Sequence, residues 1–224
     1  MMNKIVKFDF IDVIPLPKGI IFAGNKKMTD GSSKIIFMHY DVISGELTAV
    51  TKGSYFLNKF GINFEEIVSQ LGDYISCDAV KLSNGTTVIL YPTGEMGVFN
   101  EKGKLVWTGD IYYNDAPCRD LVYDSGNVWC CVPARKAVAE YSLTLNKFVM
   151  RIGGNNNTSF KRPVSLFADD ENIFICDSGN NSIRTINKKT FNVSDYMTFD
   201  EPVLKYFRIL NSQFVILESG IYEL

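Results

Sequence analysis

A chain of 224 residues, 46% hydrophobic and 21% charged, can bury a sizeable core in one large all-β domain or two small ones. Its formal charge of −2 supplies no general field for nucleic acid or an anionic membrane, though a local basic patch is compatible with it. No run approaches the ~18 apolar residues of a membrane-spanning helix. The opening MMNKIVKFDFIDVIPLPKG carries acidic residues and no unbroken apolar stretch of a secretory signal, so a cytoplasmic protein without membrane contact is expected.

In chain order, the first element is an alternating strand, KIVKFDF (4–10), with no sheet of its own. Four strands follow at 12–16, 19–24, 34–42 and 46–51, with a longer loop, NKKMTDGSS, between the second and third. The segment NFEEIVSQLGDY (63–74) reads as one short inserted helix: Asn63 is an N-cap with Glu66 three residues on, and Gly72 is a stop. Phe64, Ile67, Val68 and Leu71 then share a face that covers apolar surface.

A second group of strands lies at 77–82, 86–91, 95–100 and 104–109, with turns at SNG, PTG and EKG. A third lies at 118–124, 127–132, 137–142 and 147–152, and a fourth at 164–169, 172–177, 182–187 and 193–199. Prolines 117, 163 and 202 open successive groups at intervals of 46 and 39 residues, with Cys77 at the corresponding place in the second group. A repeat of this length made of four short strands is that of a β-propeller blade. The fifth group has only three strands before Leu224. The expectation is therefore a single domain over 1–224, a five-bladed β-propeller (six-bladed as the alternative) closed by the N-terminal strand. That strand would lie beside the last one and remove two open edges.

The five cysteines, Cys77, Cys118, Cys130, Cys131 and Cys176, are odd in number and form no C-x-x-C pair. They read as free thiols rather than as a disulfide framework or metal site. Cys130 and Cys131 are adjacent on a strand and must face opposite ways.

The run ICDSGNNSIRTI (175–186) resembles an NHL repeat. Asp177, Asn180 and Ile183 occupy matching positions, and Pro163 matches the proline that opens the repeat. Ser182 stands where the NHL arginine is expected, and Arg184 follows two positions later. The resemblance is specific in this group and schematic in the others, where Pro133 and Glu218 replace the aspartate. Asp and Asn side chains bond the backbone of tight turns, so a turn-capping role outweighs ligand contact.

The resemblance implies that ligands meet the end built from the loops between blades and the loops between second and third strands. Those loops contain DIYYNDAP (110–117), PARK (133–136), GGNNNTSFKRP (153–163) and DSGNN (177–181). Asp78, Arg119, Ser165 and Leu204 are expected to point into the channel, with Asp78 and Arg119 paired across it. The candidate ligand contacts are Asp78, Tyr112, Tyr113, Arg119, Arg135, Lys161 and Arg162.

Catalytic alternatives find less support. Propeller lyases of the streptogramin-inactivating and peptide-amidating kinds need channel histidines, whereas the single histidine, His39, lies in an outer strand, IIFMHYDV. A lactonase-like Ca²⁺ cage could draw on Asp78, Asp115, Asn156, Asp177 and Asn180, but no spacing assembles one. A glycosidase-like site needs three channel acids, and only Asp78 is well placed, with Asp120 one residue off phase.

Single-stranded RNA could use Arg135, Lys136, Lys161, Arg162, Lys26 and Lys27, with Tyr112, Tyr113 and Phe160 for stacking. Nearby Asp110, Asp115, Asp169, Asp170, Asp200 and Glu201 count against that. The expectation is a non-catalytic scaffold, without metal or cofactor, that binds a protein, a peptide or a small polar ligand. The alternative is a propeller hydrolase or lyase acting at the channel mouth.

Overall fold

The computed structural model describes residues 2–6, 10–16, 18–54, 78–82, 84–91, 93–154 and 159–224. The helix expected over 63–74 lies outside the described residues. Among them no helix is long and apolar enough to cross a membrane, and nearly all regular structure is β.

The fold is a five-bladed β-propeller. Blade one is β2 (Phe10–Leu16), β3 (Gly19–Lys27), β4 (Ser33–Asp41) and β5 (Leu47–Ala49). Blade two is β6 (Asp78–Lys81), β7 (Thr87–Leu90), β8 (Glu95–Phe99) and β9 (Leu105–Asp110), followed by a hairpin, β10 (Tyr112–Tyr113) and β11 (Ala116–Pro117). Blade three is β12 (Arg119–Asp124), β13 (Asn127–Val132), β14 (Ala137–Ser142) and β15 (Lys147–Gly153). Blade four is β16 (Pro163–Ala168), β17 (Asn172–Asp177), β18 (Ser182–Asn187) and β19 (Val193–Thr198).

The last sheet contains β20 (Val203–Ile209), β21 (Ser212–Leu217) and β22 (Gly220–Glu223), and its fourth strand is β1 (Asn3–Val6). β1 runs antiparallel to β22, with Asn3 opposite Glu223 and Lys4 opposite Tyr222. The Lys4 ammonium sits 5.4 Å from the Tyr222 ring centroid. The N-terminal strand thus completes the last blade as expected, but it is shorter than the 4–10 run, because Phe10 already pairs with Gly24 in blade one.

Two compact units are present: residues 1–76 with 207–215 and 219–224, and residues 77–206 with 216–218. In the first, blade one buries Ile20, Ile21, Phe22 and Ala23, and the Tyr40 ring meets Phe214 edge-on. His39 is buried on β4, and a side chain at Gly19 would run into Nε2 of its ring. Burial lowers the His39 pKa, with the Asp41 carboxylate opposing that shift, and so favours neutral imidazole.

In the second unit the blades stack face to face. β13 therefore reads as an unbroken apolar run, because both of its faces are covered. Val128, Cys130 and Val132 join Val88, Leu90 and Met96 of blade two in one core. Trp129 and Cys131 join Leu166, Ile173 and Ile175 of blade four in another. The two adjacent cysteines do face opposite ways. Phe167, Phe174, Tyr196 and Tyr206 continue the stack, with the Phe167 and Tyr206 rings edge to face at 5.7 Å.

The outer strands are blunted in a repeated manner. Val106, Val149 and Tyr196 are each skipped by the pairing of the neighbouring strand, so β9, β15 and β19 all carry a bulge, and β1 carries one near its middle. Such bulges twist an edge away from a would-be partner strand. Removing residues 1–6 uncovers the edge of β22, which lacks such protection. The truncated protein is expected to melt at least about 5 °C lower, a loss of ~2 kcal/mol at this size, or to self-associate in gel filtration. An unchanged melting temperature and elution volume would contradict this assignment.

Candidate functional site

The b–c turns of blades three and four share one backbone path. β13 and β17 each run into a short 3-10 turn, Pro133–Arg135 and Ser178–Asn180. Each turn ends on a residue in the left-handed region, Lys136 at φ 52° and Asn181 at φ 51°. The carbonyl of that residue then accepts from the segment leading to the next blade. Gly154 N–H donates to Lys136 O at 3.0 Å, and Phe199 N–H donates to Asn181 O at 2.8 Å. Gly153 (φ 88°) is required in this path, because a Cβ there would lie 2.6 Å from Lys136 O.

Each turn also grips the segment that enters its own blade, by opposite chemistry. In blade four the Asp177 side chain is fully buried. Its carboxylate accepts from the Lys161 and Arg162 backbone N–H groups, at 3.0 and 2.6 Å, and from the Asn180 side-chain amide at 2.7 Å. Arg162 O in turn accepts from Ser178 N–H. In blade three the donor and acceptor are exchanged. Arg135 reaches across and donates through Nε to the Asn114 carbonyl at 2.8 Å, with a second donation from Nη2.

Asn114 lies at the tip of the β10–β11 hairpin, where Asn114 and Asp115 both have positive φ (49° and 60°), as a two-residue type I′ connection demands. The hairpin side chains are occupied as well. The Tyr112 hydroxyl donates to Thr93 O at 2.6 Å. The Tyr113 ring is edge-on to Phe148 at 5.2 Å, with the Arg151 guanidinium 6.0 Å from its centroid.

A second carboxylate joins neighbouring blades. Asp120 occupies a bulge in β12 between Arg119 and Leu121, at φ 46°. Its Oδ2 accepts from Leu166 N–H of blade four at 2.7 Å, and its Oδ1 accepts from Leu121 N–H.

The residues expected as ligand contacts fall into three sets. Tyr112, Tyr113 and Arg135 form one network about the hairpin. Lys161 and Arg162 stand together on the segment pinned by Asp177, and their aliphatic stems lie against Gly179. Arg119 opens β12 beside the Asp120 bulge, opposite Cys131. The Arg119, Lys161 and Arg162 side chains are exposed and have no acidic partner among the described residues. Asp78 pairs with Leu90 at the start of β6, while its side chain, and with it the expected pair with Arg119, lies outside the described residues. Ser165 is buried, with no hydrogen-bond partner for its hydroxyl among the described residues. Leu204 is exposed.

No protein-family model matches the chain, and no curated protein matches it. Solved structures do. Sqt1 of Saccharomyces cerevisiae superimposes with a TM-score of 0.54 at 10% identity, over 96% of this chain and 71% of that one. The WD40 repeats of RRP9 give 0.52 at 9% identity, over 96% of this chain and 59% of that one. A protein of unknown function from Bacteroides caccae gives 0.52 at 13% identity, over 93% and 70%. At such identities these likenesses establish the propeller fold alone.

The Asp177 carboxylate makes the end of blade four a test of this construction. Asp177→Ala leaves two backbone N–H groups without their acceptor and is expected to cost about 3 kcal/mol or more. Asp177→Asn is expected to retain part of that. An alanine variant within about 0.5 kcal/mol of the parent in denaturant unfolding would show that the carboxylate does not hold the loop.

Proposed function

We propose that this protein is a non-catalytic interaction propeller that uses the loop end of blades three and four to bind an acidic segment of another protein. One observation carries the reading. Asp177, the acid that reaches the segment carrying Lys161 and Arg162, is turned inward onto backbone amides, so it organises the surface without pairing with the cationic side chains upon it. Arg119, Lys161 and Arg162 therefore keep their charge available at positions the backbone holds firmly. Rigid placement lowers the entropy cost of binding, and guanidinium forks suit carboxylates.

The β10–β11 hairpin supports this role by projecting Tyr112 beside the same blades on a framework fastened by Arg135. NHL-like character, carried by Pro163, Asp177, Asn180 and Ile183, agrees with a propeller that presents loops to a partner. A peptide or small polar anion would use the same cations. Among the described residues, His39 is packed on β4 of blade one and both Asp120 oxygens accept from backbone N–H groups, which supports a binding role over hydrolase or lyase chemistry.

The test uses a fluorescently labelled polyglutamate peptide as probe, with a neutral peptide of equal length as control. Anisotropy is expected to show binding of the acidic probe that weakens as salt rises. The triple variant Arg119→Glu, Lys161→Glu, Arg162→Glu should bind at least about tenfold more weakly, ~1.4 kcal/mol. Equal binding of acidic and neutral peptides, or an unaltered triple variant, would remove this face from the function.

A further inference from the structure

We propose that the acidic segment bound at blades three and four carries an aromatic residue at one end, and that this ring packs on Tyr112 and Pro117 of the β10–β11 hairpin. The inference deepens the binding role proposed above and rests on it. Tyr112 and Pro117 stand directly opposite each other in the hairpin, so their side chains share one face. Both lie against Gly94, between β7 and β8 of blade two. A Cβ on that glycine would stand 3.0 Å from Pro117 Cβ and 3.2 Å from Tyr112 Cζ. Tyr112 is nonetheless 44% exposed. Its hydroxyl is already committed to Thr93 O at 2.6 Å, which leaves the ring surface as what the side chain offers a partner.

The hairpin that carries this ring is fastened at both ends. Ile111 N–H donates to Gly94 O at 2.7 Å at its base, and Arg135 grips the Asn114 carbonyl at its tip. An aromatic surface held in this way loses little freedom on binding, and contact between two rings adds to simple burial.

Charge decides what the ring faces. Arg119 follows Pro117 by two residues and is exposed, as are Lys161 and Arg162 on the segment entering blade four. Around the hairpin the exposed charges are instead acidic: Glu95, Asp110 and Asp115. A run of carboxylates is therefore drawn over Arg119, Lys161 and Arg162 and repelled from the hairpin, where an uncharged side chain is preferred. The same acids favour a protein segment over single-stranded RNA. A base stacked on Tyr112 would bring its phosphates towards Glu95, Asp110 and Asp115, whereas a phenylalanine brings no charge.

The experiment compares two fluorescent peptides of equal length on the native full chain, one of glutamate alone and one with phenylalanine at each end, so that either chain direction is served. Anisotropy gives the ratio of the two affinities on each protein. The phenylalanine-ended peptide is expected to bind wild type about fivefold more tightly. That ratio should hold as salt rises while both affinities fall, because an apolar contact is not screened. The preference should survive in Tyr112→Phe and vanish in Tyr112→Ala. With benzoylphenylalanine in place of phenylalanine, irradiation of wild type should cross-link the hairpin or the Thr93–Gly94 turn beneath it, which decides the matter even where Tyr112→Ala fails to fold. No preference, a preference unaltered by Tyr112→Ala, cross-links confined to other elements, or tighter binding of an oligouridylate of equal length would overturn the inference. Where the all-glutamate peptide binds and the preference is missing, this inference alone falls; where the all-glutamate peptide does not bind, the underlying role falls with it.

Discussion

The pairing of β1 with β22 is the constraint on which the architecture rests. The last sheet obtains three strands from the C-terminal stretch and its fourth from residues 3–6, which lie more than 200 positions away in sequence. Bringing such distant segments together costs loop-closure entropy, and the return is the covering of an otherwise open strand edge whose backbone groups would seek other partners. Elsewhere the outer strands protect themselves by bulges at Val106, Val149 and Tyr196. The same problem is thus handled by two devices, strand addition in the last blade and local twist in blades two, three and four.

Within the second unit, stacking and loop geometry are linked by buried carboxylates. Face-to-face burial makes β13 and β17 apolar throughout, which leaves the polar work to the residues where those strands end. Asp177, at the end of β17, serves three donors; the corresponding end of β13 has Val132 and relies on Arg135 reaching outward to Asn114. One loop is held by an inward anion and the other by an outward cation. The consequence for function is a difference in what remains. Where an acid does the holding, the neighbouring Lys161 and Arg162 stay available. Where Arg135 does the holding, its own charge is committed to a carbonyl.

Much of the fold was legible because its signals are local and periodic. Alternating runs, turn residues and the recurring proline at 117, 163 and 202 mark blades directly, and the unpaired run near the N-terminus marks the strand that completes the last one. A structural use of Asp177 was legible from the side-chain chemistry of Asp-Ser-Gly-Asn, but the expected turn cap is not what forms: no side chain caps the turn, and the carboxylate reaches the Lys161 and Arg162 N–H groups of the incoming segment instead. What escaped depends on register. Asp120 looked like an off-phase acid because a bulge shifts it out of alternation, and only the bulge sends it to Leu166 of the next blade. The hairpin at 112–117 read as loop, since Asn114-Asp115 lacks the glycine that usually announces a type I′ connection.

The most direct measurement of the central pairing is a cross-linking comparison in the full chain. A Lys4→Cys, Tyr222→Cys double variant places thiols on directly opposed residues of β1 and β22, whereas Lys4→Cys with Leu210→Cys places them in elements that do not pair. Under mild oxidation of native protein, the first variant should form an intramolecular disulfide rapidly and in high yield, and the second should not. Equal yields in the two, or cross-links found only between molecules, would show that the N-terminal strand does not complete the last blade.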